Sequence, residues 1–288
     1  MTDPDPLDTV RRRYARQMVA DLPAPDPRIE AALATVPRER FVGPPPWTIV
    51  EPSEGRIRRT SDVTELYADA LVQLDATRHV NNGSPSLHAL MLHHLGVRPG
   101  DRVLHAGTGT GYYTAILSEL VGPGGSVEAV EYDERLARAT AENLRDRPNV
   151  TVRHGDSADY PQGEVDRIYV NFGLGAPALR WFEHLSDGGT LEFPLCVKNR
   201  ERSGGGGAVI LATRKRAGYA ARFITNCSFV MAEGPLAGDA QSIRRLDAAF
   251  RRGHVEFVRS VRLRQEFPDR CWYWRPEWCF SYDEPPSA

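Results

Sequence analysis

Val103–Leu117, VLHAGTGTGYYTAIL, is the stretch whose reading decides the fold. An apolar run, Val103–Ala106, meets Gly107, Gly109 and Gly111 within five positions and then a helix-forming run from Tyr112. Glycine loses more conformational freedom on folding than any other residue. Three of them in so short a span therefore predict a backbone turn that something must approach closely. Strand, glycine turn and helix in that order open a βαβ unit.

The alternation continues on both sides of the loop. RVLHA, SVEAVEYD, VTVRHGD, VDRIYVNF and GGTLEFPL read as strands, and YYTAILSELV, ERLARATAENLRD and PALRWFEHL as helices. Strands separated by short helices imply right-handed crossovers and a mainly parallel sheet with helices on both faces. RSGGGG, Arg202 to Gly207, reads as a flexible turn between LEFPLCV and AVILATR, an antiparallel edge pair. A further β-like run, YAARFITNCSFVMAEG, precedes a helix from about Asp239 to Arg252. The aromatic tail CWYWRPEWCFSY is expected to pack against the fold's own edge, with a pocket wall or a partner surface as the alternatives.

Upstream, Val10, Tyr14 and Met18 recur at helical spacing. Pro23, Pro25 and Pro27 break that helix, and a second runs from about Arg28 to Val36. Gly43 to Trp47, GPPPW, opens a stretch read as irregular to about Val80. Ser84 then suits an N-cap, Pro85 a first helical turn and Gly96 a C-terminal stop. The expected organisation is residues 1–95 as N-terminal helices and a substrate-side loop, 96–215 as a ligand-binding core, and 216–288 as an α+β extension packed on it.

Composition narrows the function. The chain has 288 residues, long enough for one large α/β domain with additions or for two small ones. A net charge of −2 gives no general attraction to nucleic acid, and the arginines at 11–13 and 244–252 read as solvated helix faces. No apolar run reaches the roughly 18 residues of a membrane span. MTDPDPLDTVRRRYARQ lacks the apolar region of a signal peptide. Cys196, Cys227, Cys271 and Cys279 lack close-paired zinc spacing, so they read as reduced thiols in a cytoplasmic protein with no metal site. Nothing in the sequence sets an oligomeric state.

Three ligand types compete for the glycine loop. A dinucleotide loop has G-x-G-x-x-G spacing, whereas this one is G-x-G-x-G. A phosphate loop ends in lysine and a hydroxyl residue, whereas Tyr112 and Tyr113 stand here. A nucleoside without phosphates, as in S-adenosylmethionine, fits the tight spacing. Glu131, at the end of the next strand, suits a ribose diol, as it would in a dinucleotide enzyme. Asp156 and Ser157, ending the third strand, suit the exocyclic amine and edge of adenine. Glycines, ribose acid and adenine acid thus fall on three consecutive strand ends, where open α/β sheets bind ligands.

These residues carry a resemblance. DRVLHAGTGTGYYTAILSEL resembles the first motif of class I methyltransferases, and specifically of protein-L-isoaspartate (D-aspartate) O-methyltransferases. ALATVPRERFV, LYADALVQLDATRHVNNGSPSLHALML and VDRIYVNFGLGAPALRWFEHLSDGGTLEFPL resemble further segments of that family, over roughly residues 10 to 215. The resemblance implies a Rossmann-like fold with a seven-stranded type of sheet, S-adenosylmethionine as methyl donor and a carboxylate on a protein or peptide as acceptor. It implies a donor-binding set of His105, Gly107, Thr108, Gly109, Gly111, Tyr112, Glu131, Tyr132, Asp156, Ser157 and Asn171, with Ser84 as the acceptor-side residue.

Three departures accompany it. His105 stands where the family usually has an acid. Gly83 stands where it has a serine two residues before the proline, with Ser84 one place later. About 70 residues follow the shared core. A carboxylate acceptor is already ionised and needs no general base, so the chemistry reduces to orientation and desolvation. A hydroxyl or amine acceptor would need one, with His79, His88 or His105 as candidates. NFGL at Asn171 differs from the Asn/Asp-Pro-Pro-aromatic run of amine-methylating enzymes. Methylation of a small metabolite or peptide natural product, or binding without catalysis, remain the alternative readings.

Overall fold

Arg102–Ala106 forms a strand and Tyr112–Val121 a helix, and between them Gly111 is held at φ 97° as the residue that starts the helix. The computed structural model describes residues 6–51, 55–198, 204–264 and 270–286. In chain order the elements are helices α1 (Asp8–Met18) and α2 (Pro27–Thr35), strands β1 (Trp47–Glu51), β2 (Arg56–Thr60), β3 (Leu71–Asp75) and β4 (Val80–Asn81), and helix α3 (Pro85–Leu95). Then follow β5 (Arg102–Ala106), α4 (Tyr112–Val121), β6 (Ser126–Glu131), α5 (Glu134–Asn143), β7 (Val150–His154) and β8 (Val165–Val170). After these come α6 (Leu179–Glu183), β9 (Leu185–Lys198), β10 (Gly205–Lys215), β11 (Gly218–Phe229), α7 (Ala240–Arg252), β12 (Ser260–Leu263), β13 (Cys271–Trp274) and β14 (Trp278–Ser281). They fall into two compact units, the first of residues 1–100 and 108–154, the second of 101–107 and 155–288.

In the first unit, β6 and β7 pair in parallel from Val127↔Val150 to Glu131↔His154. Helix α4 is buried along nearly its whole length, because its residues other than exposed Glu119 are apolar, aromatic or small. Asp133 starts α5 by accepting the Leu136 N–H at 2.9 Å. The stretch from Trp47 onward is not irregular as expected. It forms a four-stranded sheet in the order β2-β1-β3-β4. Its strands are short and β2 is largely exposed, so apolar alternation is weak, and only inward residues such as Ile49 and Val72 mark the buried face. Buried Arg38 ties down the segment before β3, donating to the carbonyls of Leu66, Ala68 and Ala70 at 2.5, 2.9 and 2.6 Å.

The second unit carries strands in the order β13-β14-β12-β11-β10-β9-β8-β5. β5, β8 and β9 run parallel, and the strands from β9 to β11 are antiparallel. Gly205–Gly207 are not a flexible turn: they belong to β10 and pair with both β9 and β11. A side chain at Gly207 would run into the Leu195 carbonyl, so close strand approach, rather than flexibility, accounts for glycine there. Arg202 and Ser203 lie outside the described residues. Trp272, Trp278 and Phe280 are buried as expected of the tail. The reading of four reduced thiols is corrected. The β13–β14 hairpin brings the Cα atoms of Cys271 and Cys279 to 6.0 Å and they form a disulfide, while Cys196 and Cys227 are free.

Candidate active site

Geometry around the glycine loop begins with its own turn, in which Gly111 N–H donates to the Thr108 carbonyl at 2.9 Å. Gly109 N–H donates to Glu131 Oε2 at 2.7 Å, and Asp133 N–H to Oε1 at 3.0 Å. Glu131 is buried at the end of β6, and burial raises its pKa while these two N–H groups oppose the rise. Gly109, at φ 60°, has open space where a side chain would stand. Its backbone can therefore be approached closely, as a ligand-binding loop requires.

From α5, Thr140 donates its hydroxyl to the Gly109 carbonyl at 2.8 Å and Asn143 donates its amide to the Thr110 carbonyl at 2.9 Å. The sequence reading missed this clamp. Its signal is two short polar side chains three residues apart, hence on one helix face. Tyr132 is 49% exposed beside Glu131. Tyr112, placed in the donor-binding set by sequence, has a buried ring whose hydroxyl lies 3.3 Å from that of Tyr14 and which packs edge-on to Phe41. Its side chain seats the helix.

Ser84 is the N-cap residue of α3, but its side chain does not cap. The hydroxyl donates to Asp69 Oδ1 at 2.9 Å, and Asp69 takes over the capping role by accepting Ser86 N–H at 3.1 Å and Ser86 Oγ–H at 2.5 Å. Asp69 went unnoticed in the sequence because it caps from 17 residues away. The Gly83 departure also has a cause: at φ 76° a side chain there would overlap the His88 ring. His88 is fully buried and stacks on Tyr113 with centroids 3.7 Å apart. His79, at φ 55°, lies on the turn before β4.

The second unit holds the remaining residues. His105 on β5 is fully buried, its ring 5.3 Å from that of Tyr169, and burial pushes its pKa down to about 3. It is neutral at ordinary pH. A side chain on Gly107, at φ 78°, would overlap the Phe172 ring, a neighbour the sequence reading did not identify. Asp156 accepts Ala158 N–H at 2.9 Å and starts the short turn Ser157–Asp159, while the carbonyl of buried Ser157 accepts the Trp181 indole N–H at 3.0 Å. Asn171 N–H donates to the Ala106 carbonyl at 2.9 Å just past β8.

Parallel strands alternating with helices, with a glycine loop after one strand and a buried acid ending the next, define a class I methyltransferase fold. A solved protein-L-isoaspartate O-methyltransferase shares it with a TM-score of 0.63 at 22% identity, over 90% of this chain and 74% of the other. Another, titled as a putative protein-L-isoaspartate O-methyltransferase from Plasmodium falciparum in complex with S-adenosyl-L-homocysteine, gives 0.58 at 16% identity, over 80% of this chain and 99% of that one. The chain belongs to the protein-L-isoaspartate(D-aspartate) O-methyltransferase family, whose model matches residues 55–230. Protein-L-isoaspartate O-methyltransferase of Ignicoccus hospitalis is 30% identical over 193 residues, 66% of this chain and 83% of its own. The Aeropyrum pernix protein of the same name is 32% identical over 200 residues, 68% and 70% respectively. No described helix is long and apolar enough to cross a membrane.

Proposed function

We propose that the chain is an S-adenosylmethionine-dependent carboxyl O-methyltransferase acting on isoaspartyl residues of proteins or peptides. The observation that carries the reading is the buried Glu131 carboxylate fixed to the Gly109 N–H, within a chain that belongs to this family. Bound S-adenosylmethionine supplies an electrophilic methyl group on a sulfonium. Glu131 accepts hydrogen bonds from the ribose hydroxyls, Asp156 and Ser157 meet the adenine edge, and Tyr132 offers a flat apolar face. Thr108, Gly109 and Gly111, with Gly107, line the close approach to the backbone. His105 is neutral and meets the donor's ammonium side only as a lone-pair acceptor, and Asn171 belongs to the same set.

On the acceptor side, Ser84 is held ready by Asp69 and turns its hydroxyl to the incoming carboxylate, helped by main-chain N–H groups at the start of α3. No base is required of His88 or His105, which suits their burial. A cytoplasmic setting is part of the proposal; it is supported by the free thiols Cys196 and Cys227, although Cys271 and Cys279 are paired.

Incubation with methyl-labelled donor and an isoaspartyl peptide tests the reading, and base-labile label on the peptide is expected. Donor binding by calorimetry without such label would overturn it. That result would favour a small-metabolite or natural-peptide acceptor, a reading supported by the His88 ring that keeps a serine out of position 83. Absence of donor binding would instead point to a binding protein without catalysis.

A further inference from the structure

Two further sulfur atoms lie around that of Cys196 in the second unit, at a place the methyl-transfer chemistry does not use. Cys196 on β9 and Cys227 on β11 bring their Sγ atoms to 3.8 Å. They are not on neighbouring strands: Gly207 of β10 is the register partner of both. Met231 borders Cys196. Gly173 N–H donates to the Val230 carbonyl at 2.8 Å and Ala232 N–H to the Gly173 carbonyl at 2.7 Å, which fixes Met231 facing Gly173. A Cβ on Gly173 would stand 3.0 Å from Met231 Sδ and 3.2 Å from Cys196 Sγ, so both sulfurs border one point. A side chain on Gly205 would run into Met231 Sδ. Glycines at 173 and 205 thus clear the volume that the Met231 and Cys196 sulfurs fill.

A disulfide does not fit this geometry. Two strand spacings of about 4.8 Å put the Cα atoms of Cys196 and Cys227 about 9.6 Å apart. A disulfide needs them within about 7 Å. A metal bridge does fit, since metal–sulfur bonds of about 2.3 Å at trigonal or tetrahedral angles put two sulfurs roughly 3.8 to 4.0 Å apart. Zinc asks for four nitrogen, oxygen or thiolate ligands, and among the described residues no group of three His, Cys, Asp or Glu could supply them. Two thiolates and a thioether are the donor set of a soft monovalent ion.

We propose that Cys196, Cys227 and Met231 form a binding site for one cuprous ion. Binding forms two copper–thiolate bonds and one copper–thioether bond and releases the two thiol protons to solvent, with no change of oxidation state. Met231 and Cys227 are half-buried and give the entry side, and Cys196 is the buried end. The site lies against Gly173 and Leu174, whose main chain also bonds to β9 through Leu174 N–H to the Pro194 carbonyl and Cys196 N–H to the Leu174 carbonyl, both at 2.9 Å. An ion there would hold still the segment that follows Asn171.

The test is anaerobic titration of the full chain, its Cys271–Cys279 bond kept intact, with cuprous acetonitrile complex against a chromogenic chelator. One ion per chain and a thiolate-to-copper charge-transfer band are expected. Cys227→Ser is expected to abolish the band, and Met231→Leu, which keeps the volume, to weaken binding by about tenfold or more. Wild-type stoichiometry and affinity in both variants would overturn the proposal, as would failure of the wild-type chain to compete with the chelator. Quantitative Cys196–Cys227 disulfide on treatment with a mild thiol oxidant, read by peptide mass mapping, would overturn the geometric argument on which it stands.

Discussion

Gly109 donates its main-chain N–H to Glu131 at 2.7 Å, so the glycine loop and the acid that ends β6 are one hydrogen-bonded unit. Glu131 therefore has two duties, shaping the loop and holding a ribose.

Glu131→Ala removes both. Donor affinity is expected to fall by about 1–3 kcal/mol from the lost charged hydrogen bonds, read by calorimetric titration. Unchanged affinity would count against Glu131 as the ribose ligand. Asp133→Ala removes the α5 cap and the ion pair with Arg78 but keeps the main-chain N–H that Glu131 accepts, and serves as the control: it is expected to cost about 1 kcal/mol of stability with little loss of donor binding.

Gly107→Ala places a methyl group against the Phe172 ring at a φ that favours glycine. A loss of about 1–3 kcal/mol in denaturant unfolding is expected. Combining it with Phe172→Leu is expected to return the overlap part and leave the φ part. A double variant as unstable as Gly107→Ala alone would show that the ring is not the obstacle.

His105 has a folded pKa of about 3 against an ordinary value of 6.5. Its pKa is depressed, so its contribution is intact above pH 6.5 and is lost as pH falls toward 3, where the unfolded chain takes up a proton that the buried ring refuses. The loss approaches about 1.4 kcal/mol per pH unit within that window. His105→Phe is expected to flatten the wild-type decline between pH 6.5 and 4.5 in urea titrations. Parallel declines for the two proteins would contradict this.

Glu192 on β9 presents the opposite sign. It is fully buried between the register partners Tyr169 and Leu211, and among the described residues neither carboxyl oxygen has a hydrogen-bond partner. Burial raises its pKa well above the usual carboxylate range, opposed by the Arg222 charge. Its contribution is present below about pH 4.5 and is lost as pH rises toward the folded value, because the unfolded carboxyl ionises first. Glu192→Gln is expected to stabilise the protein more at pH 8 than at pH 4.5, read by denaturant midpoints. An equal effect at both would show that the carboxyl ionises in place.

The central strands and helices were legible because their signals are local. Apolar alternation and helical spacing mark β5 through β9 within a few residues each, and the glycine spacing set the loop apart from phosphate-binding ones. The sheet of β1 to β4 was not legible, since its short, half-exposed strands gain their order from pairing rather than from pattern. Gly205–Gly207 gave the composition of a linker and the structure of a strand, because close strand approach and flexibility both select glycine.

At the site the division is the same. The residues from His105 to Gly111, Glu131 and Asp156 could be placed at strand ends from sequence alone, because the order of strands and turns along the chain puts them there. Their partners could not be. Asp69 reaches Ser84 and Ser86 from 15 and 17 residues away, Phe172 covers Gly107, and Thr140 and Asn143 hold the loop from a different helix. Sequence by itself determined which backbone turns and acidic groups the chain carries, since these follow from short-range sterics and periodicity. Only the tertiary structure decided what each group is bonded to and whether it is charged, because hydrogen-bond partners and burial are set by chain segments that meet in space without being near in sequence.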